Sequence, residues 1–138
     1  MEDTIFDKII RKEIPANIVY EDADTMAFLD AHPNNVGHTL VVPKRSARNI
    51  FDIAPEDFAK LMKVVQKVAI AVKEATNADG INIAMNNEPA AGQVIFHAHV
   101  HVIPRFESDG FQLFSKTKDY AEGEAQQVAE KIRAHLKK

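Results

Sequence analysis

Two hydrophobic rhythms share this chain. Apolar residues recur at helical spacing over 5–12 (Ile5, Phe6, Ile9, Ile10), over 55–76 and over 122–135. Between them lie short runs rich in Val, Ile, Thr and aromatic residues, at 18–21, 25–29, 38–43, 80–86 and 96–104, bounded by turn residues. The pattern predicts an α+β fold: an antiparallel sheet of about five strands with one long helix and a C-terminal helix.

Local signals set the ends. Asp3 or Thr4 is placed to cap the first helix and Pro15 to end it. Residues 21–24 read as a hairpin turn and 30–37 as a loop. Pro55, Glu56 and Asp57 suit a helix start. After them Phe58, Leu61, Met62, Val65, Val68, Ala69, Val72 and Ala75 form one stripe. Val64 and Ala71 widen it to roughly half the circumference at 100° per residue. The surplus predicts a second contact, most simply with a copy of the same helix; a helix edge beneath a loop is the alternative. In the closing helix Ala125, Val128, Ala129, Ile132 and Leu136 are expected to face inward. The 80–86 run is expected to pair antiparallel with 96–104, which sets the 87–93 loop beside the start of that last strand.

Composition narrows the class. A chain of 138 residues, 46% hydrophobic and 27% charged, suits a single globular domain. A net charge of −3 argues against a nucleic-acid partner. With no cysteine there is neither a disulfide framework nor a thiolate metal site. No apolar run approaches the ~20 residues of a membrane span, and the first residues do not read as a signal peptide. A cytoplasmic location is the expectation.

The chemistry concentrates in Phe96-His97-Ala98-His99-Val100-His101-Val102-Ile103-Pro104. Strict alternation predicts a strand with His97, His99 and His101 on one face, roughly 6–7 Å apart, and apolar residues on the other. Imidazole ionises near neutrality, so one ring can attack an electrophile such as phosphorus while a neighbour donates a proton. A zinc site and three solvated rings are the other readings of this spacing. Singly, the remaining features are unremarkable: His38 after Gly37, His32 in its loop, His135 near the end, and Phe6, Ile9 and Ile14 as core.

Together these residues fit a known pattern. HAHVHVI, preceded by DAHPNNVGHTLVVPK and NNEPAAGQ and by the opening TIFDKIIRKEIPANIVYED, resembles the histidine triad (HIT) family and its Hint-like and bacterial HIT branches. The similarity covers residues 4–105 of a single domain spanning 1–138; 106–138 form a C-terminal extension. The resemblance implies a HIT-like fold and a homodimer through the long helix. It implies a hydrolase acting at the α-phosphate of purine nucleoside phosphoramidates or related AMP or GMP conjugates. His99 would be the nucleophile, forming a nucleotidyl-histidine intermediate. The backbone carbonyl of His97 would orient it, and His101 and His38 would contact phosphate and help move protons. Gln93 and Asn86 would lie near the scissile bond and the phosphate or ribose, Asp30 would bind ribose hydroxyls, and Phe6, Ile9, Ile14, Phe28 and Leu29 would surround the base. No metal or other cofactor is implied. Diadenosine polyphosphate hydrolysis, nucleotide-dependent regulation without turnover, and zinc binding by the triad face stay open. Two departures stand out: Val94 replaces a hydroxyl residue after the glutamine, and Thr4-Ile5-Phe6-Asp7 lacks the cysteines with which some bacterial relatives hold structural zinc.

Overall fold

Five strands form one antiparallel sheet: β1 (Ile18–Glu21), β2 (Thr25–Leu29), β3 (Thr39–Pro43), β4 (Gly80–Ala84) and β5 (Val100–Arg105), in the order β1-β2-β3-β5-β4. The computed structural model describes residues 3–110, 112, 114 and 116–136; the rest of the expected extension lies outside the described residues. The hairpin turn closes as Asp22 Oδ1 accepts the N–H groups of Asp24 and Thr25, each at 2.8 Å.

Strand alternation sorts the core onto two faces. Ala27, Val41, Val100 and Val102 meet Leu61, Val64, Val65, Val68 and Val72 of α2 (Pro55–Thr76). Met26, Phe28, Leu40 and Val42 face the other way and meet Phe6 and Ile9 of α1 (Ile5–Ile10). The long helix starts at Pro55 and ends at Asn77, which takes the left-handed conformation. Gly37 (φ +101°) leads into β3 against this helix, where a Cβ would stand 2.7 Å from Thr76 Cγ2.

The first helix is shorter than its apolar pattern. Thr4 caps it with a reciprocal bond to Asp7. Lys12 (φ +64°), not Pro15, ends it: Lys12 N–H reaches Ile9 O and Glu13 N–H reaches Lys8 O, a Schellman closure without glycine. The 80–86 run stops pairing at Ala84. The closing helix α3 (Glu124–His135) corrects a further expectation, since none of its residues is buried and Ile132 and Leu136 are 59% and 70% exposed. An amphipathic pattern marks an apolar side without saying which surface covers it. Among the described residues no helix is long and apolar enough to cross a membrane.

Leu61 is fully buried where α2 crosses the sheet. Leu61→Ala should destabilise the fold by about 2–5 kcal/mol. Urea unfolding checks this as a lowered midpoint at unchanged slope; an unmoved midpoint would contradict the packing.

Candidate active site

The histidine segment is only partly a strand. β3 and β5 pair Leu40 with His101 and Val41 with Val100. Continuing the register would set Ala98 opposite Pro43, which has no N–H to give. Ala98 N–H turns instead to Ala47 O at 2.8 Å, and Pro43 O accepts His97 Nε2–H at 2.7 Å. His97 and His99 therefore precede the strand and only His101 lies in it, which corrects the picture of three equivalent rings in a row. The His97 ring is withdrawn beneath α1, fully buried, 3.3 Å from Asp7 Oδ1.

The other rings meet. His99 packs edge-on against His101, with centroids 5.1 Å apart, and against Phe6 at 5.0 Å. His38, at the mouth of β3, places Nε2 2.9 Å from His101 Nδ1. Asp30 Oδ2 lies 3.6 Å from the same His38 nitrogen. One edge of the sheet's α1 face thus gathers His99, His101, His38 and Asp30.

Backbone partners assign the ring protons. His97 O accepts from His99 Nδ1 at 2.7 Å, so Nδ1 carries the hydrogen and Nε2 keeps its lone pair. Asn34 N–H donates to His38 Nδ1 at 3.1 Å, so His38 carries hydrogen on Nε2 and passes it towards His101 Nδ1. That leaves the hydrogen of His101 on Nε2. Burial, first of all, lowers the pKa of His99 and of His38 below the usual 6.5, and burial with its two imidazole neighbours lowers His101 to about 4. These lowered values favour the neutral form of all three rings.

This proton pattern does not fit a metal. Asp30, His38 and His101 bring one ligand atom each within 4.8 Å of one another. Coordination through His38 Nε2 would move its hydrogen to Nδ1, against the N–H of Asn34. His97 cannot complete a triad-face site, because its nitrogens face Pro43 O and Asp7.

The remaining sequence candidates divide. Phe6, Ile9 and Phe28 pack in one buried cluster, with Ile14 against its edge, and Phe6 stands edge-on to Phe28 at 5.4 Å. Leu29 does not join them: it points to the opposite sheet face and lines a groove of about 270 Å³ with Val19, Tyr20, Ala71 and Ala75. Successive strand residues cannot share a wall. Asn86 lies beside Gly92 (φ +92°), where a Cβ would stand 3.6 Å from Asn86 Nδ2.

Gln93 is buried and fully engaged. Its amide donates to Arg48 O (2.7 Å) and Ile95 O (3.0 Å) and accepts from Glu88 N–H (2.8 Å) and Asn49 Nδ2 (3.0 Å). Glu88 adopts φ +81°, ψ 156°, a region nearly restricted to glycine. The Arg48 guanidinium, bonded through two nitrogens, and Asn49 hold its carboxyl at about 2. Arg48 also stacks 4.3 Å over the Phe96 ring. Sequence reading missed Arg48, Asn49, Glu88 and Asp7. For Asp7 the T-x-x-D capping pattern was visible, but its approach to His97 was not.

A family model described as HIT domain matches residues 11–108. The crystal structure of SMU.412c from Streptococcus mutans UA159 aligns with a TM-score of 0.93 at 43% identity, covering 99% of this chain and 87% of that one. A HIT family protein from Bacillus subtilis aligns at 0.92 and 38% identity, covering 99% of each chain. The Arabidopsis thaliana protein named Adenylylsulfatase HINT3 is 36% identical over 137 residues, 97% of this chain and 70% of its own length.

Nitrogen-15 NMR of the ring nitrogens tests the proton assignment. Near neutral pH His99 should be the Nδ1–H tautomer. Because its pKa is lowered, it should stay neutral as pH falls through 6.5, with His101 titrating near 4. The unfolded chain then binds more protons in that window, so these rings make stability fall as pH drops below 6.5. An Nε2–H tautomer at His99 would overturn the assignment.

Proposed function

The chain belongs to the HIT domain family, and on that premise we propose that it is a nucleotide hydrolase acting at the α-phosphorus of purine nucleoside phosphoramidates or related nucleoside-phosphate conjugates. The observation that carries this reading is the 2.7 Å bond from His99 Nδ1–H to His97 O, which leaves the other ring nitrogen neutral and lone-paired beside His101. A relative named as an adenylylsulfatase supports the wider class of AMP joined to a leaving group.

In the proposed reaction His99 Nε2 attacks phosphorus and forms an N–P bond as the bond to the leaving group breaks. The ring becomes a nucleotidyl-imidazolium whose positive charge strengthens the bond from Nδ1–H to His97 O. The leaving group departs with its electron pair and takes a proton from solvent. Water then attacks phosphorus, the N–P bond breaks, and the nucleoside monophosphate departs with His99 neutral again. The attacking water releases one proton to solvent, which balances the proton taken up by the leaving group.

His101 Nε2–H and the His38–His101 relay supply donors to the phosphoryl oxygens without a fixed cation. Asp30, whose Oδ1 is steadied by His32 N–H at 2.9 Å, takes the ribose hydroxyls. Phe6, Ile9, Ile14 and Phe28 form the wall for the base. Gln93 acts by fixing the 87–93 loop, and Asn86 packs at that loop's other end. Val94, 78% exposed, offers the leaving group an apolar face.

With excess chelator present, the protein should release AMP from adenosine phosphoramidate, adenylyl sulfate or diadenosine triphosphate, and the ranking identifies the leaving-group class. His99→Ala should lose at least about a thousandfold in turnover while nucleotide affinity stays within a few-fold. Intact mass after rapid quench should show a nucleotidyl adduct on the wild type alone. Unimpaired hydrolysis by His99→Ala removes the assigned nucleophile. Tight nucleotide binding with none of the three turned over would replace the hydrolase by a nucleotide-binding regulator.

The same family reading carries a homodimer through α2. It is supported by the exposed Ile70 and by the apolar groove beside Ala71 and Ala75. Sedimentation at micromolar concentration should give twice the chain mass; a monomer would remove this part.

A further inference from the structure

His97 is the triad residue whose ring has no role at phosphorus. It is fully buried, and its Nδ1 is a buried side-chain atom without a hydrogen-bond partner among the described residues. The charged group beside that nitrogen is the Asp7 carboxylate at 3.3 Å.

This carboxylate is held from several sides. Oδ2 accepts the Thr4 N–H at 2.8 Å and the Thr4 hydroxyl at 3.1 Å, and Oδ1 accepts the Ser46 hydroxyl at 2.8 Å. Burial pushes the carboxyl up, yet the Thr4 amide, the Ser46 hydroxyl and His97 together hold it below its ordinary value. Asp7 is therefore an anion tied to the start of α1 and to the loop after β3. That same loop receives Ala98 N–H at Ala47 O.

We propose that Asp7 is a positioning residue for His99, acting through the His97 ring. Pro43 O accepts from that ring at Nε2 on the sheet side, and the Asp7 carboxylate faces Nδ1 from α1, an attraction that orients the ring when Nδ1 carries a hydrogen as well. Between them they set the rotation of residue 97, and the carbonyl of residue 97 aims the nucleophile. Two shells are thereby linked: a helix-capping acid orders one imidazole, and its backbone orders the next. The proposal rests on His99 being the nucleophile.

The test uses Asp7→Ala and Asp7→Asn, with Leu61→Ala, on the opposite face of the sheet, as a control that weakens the fold but leaves the carboxylate and its partners in place. Three readouts are taken: the His99 Nδ1–H NMR signal, kcat and KM separately, and nucleotide affinity. In Asp7→Ala the His99 signal should shift and exchange faster with water. Its kcat should fall about tenfold or more, with KM and affinity within about twofold. Asp7→Asn, which keeps an oxygen in place, should lie between Asp7→Ala and the wild type. Leu61→Ala should lower the unfolding temperature without moving the His99 signal or kcat.

A folded Asp7→Ala with unchanged His99 signal and kcat overturns the proposal. Should that variant fail to fold, Asp7→Asn decides by the same two readouts. A shifted His99 signal with unchanged kcat would uphold the link from Asp7 to His99 and overturn His99 as nucleophile, so the two readings fail separately.

Discussion

One hydrogen bond organises this molecule's candidate chemistry: the carbonyl of His97 accepting the Nδ1–H of His99 at 2.7 Å. It decides which nitrogen of His99 keeps its lone pair and, in the proposed reaction, where positive charge would be stabilised. The bond exists because the backbone at residue 97 cannot point elsewhere. Pro43 denies the strand its next rung, Ala47 O takes the amide of Ala98, and the His97 ring closes back on Pro43 O. A missing N–H in one strand thus fixes the tautomer of a side chain in the next.

The second constraint is burial without charge. His38, His99 and His101 are close and largely enclosed, and three imidazolium ions there would repel strongly. The Asn34 N–H aimed at His38 Nδ1 starts a chain of neutral donors, each ring giving its hydrogen onward. Such a row stabilises developing negative charge by oriented dipoles, at little reorganisation cost when a substrate arrives. It also sets a cost for a metal at the Asp30, His38 and His101 atoms, since binding at His38 Nε2 would displace a hydrogen that already has a place.

Much of the fold was legible because its signals were local. Runs of strand-favouring residues at 18–21 and 25–29, the turn acids between them, and Pro55 ahead of a long apolar stripe each state their own structure. The family resemblance located the triad and the loop before it. What remained hidden depended on partners distant in sequence. Alternation alone could not tell that Pro43 would end the ladder before His99, because that follows from the β3–β5 register. Phe28 and Leu29 were read as one pocket wall although neighbouring strand residues face apart. Gln93 read as a substrate contact because its four amide partners come from residues 48, 49, 88 and 95. The stripe on α3 was correctly apolar and wrongly placed inward, since periodicity carries no information about what lies opposite.

The interrupted ladder has a mechanical consequence as well. In the proposed reaction, in-line displacement carries phosphorus from the leaving atom towards His99 Nε2, and some part of the protein must accommodate that travel. Residues 97–99 lie just outside the rungs of the sheet, tethered by side-chain and loop bonds, while Val100 onward is locked between two strands. The 97–99 segment is therefore held beside the rigid sheet and not within it, by bonds to Pro43 O and Ala47 O in place of strand pairing.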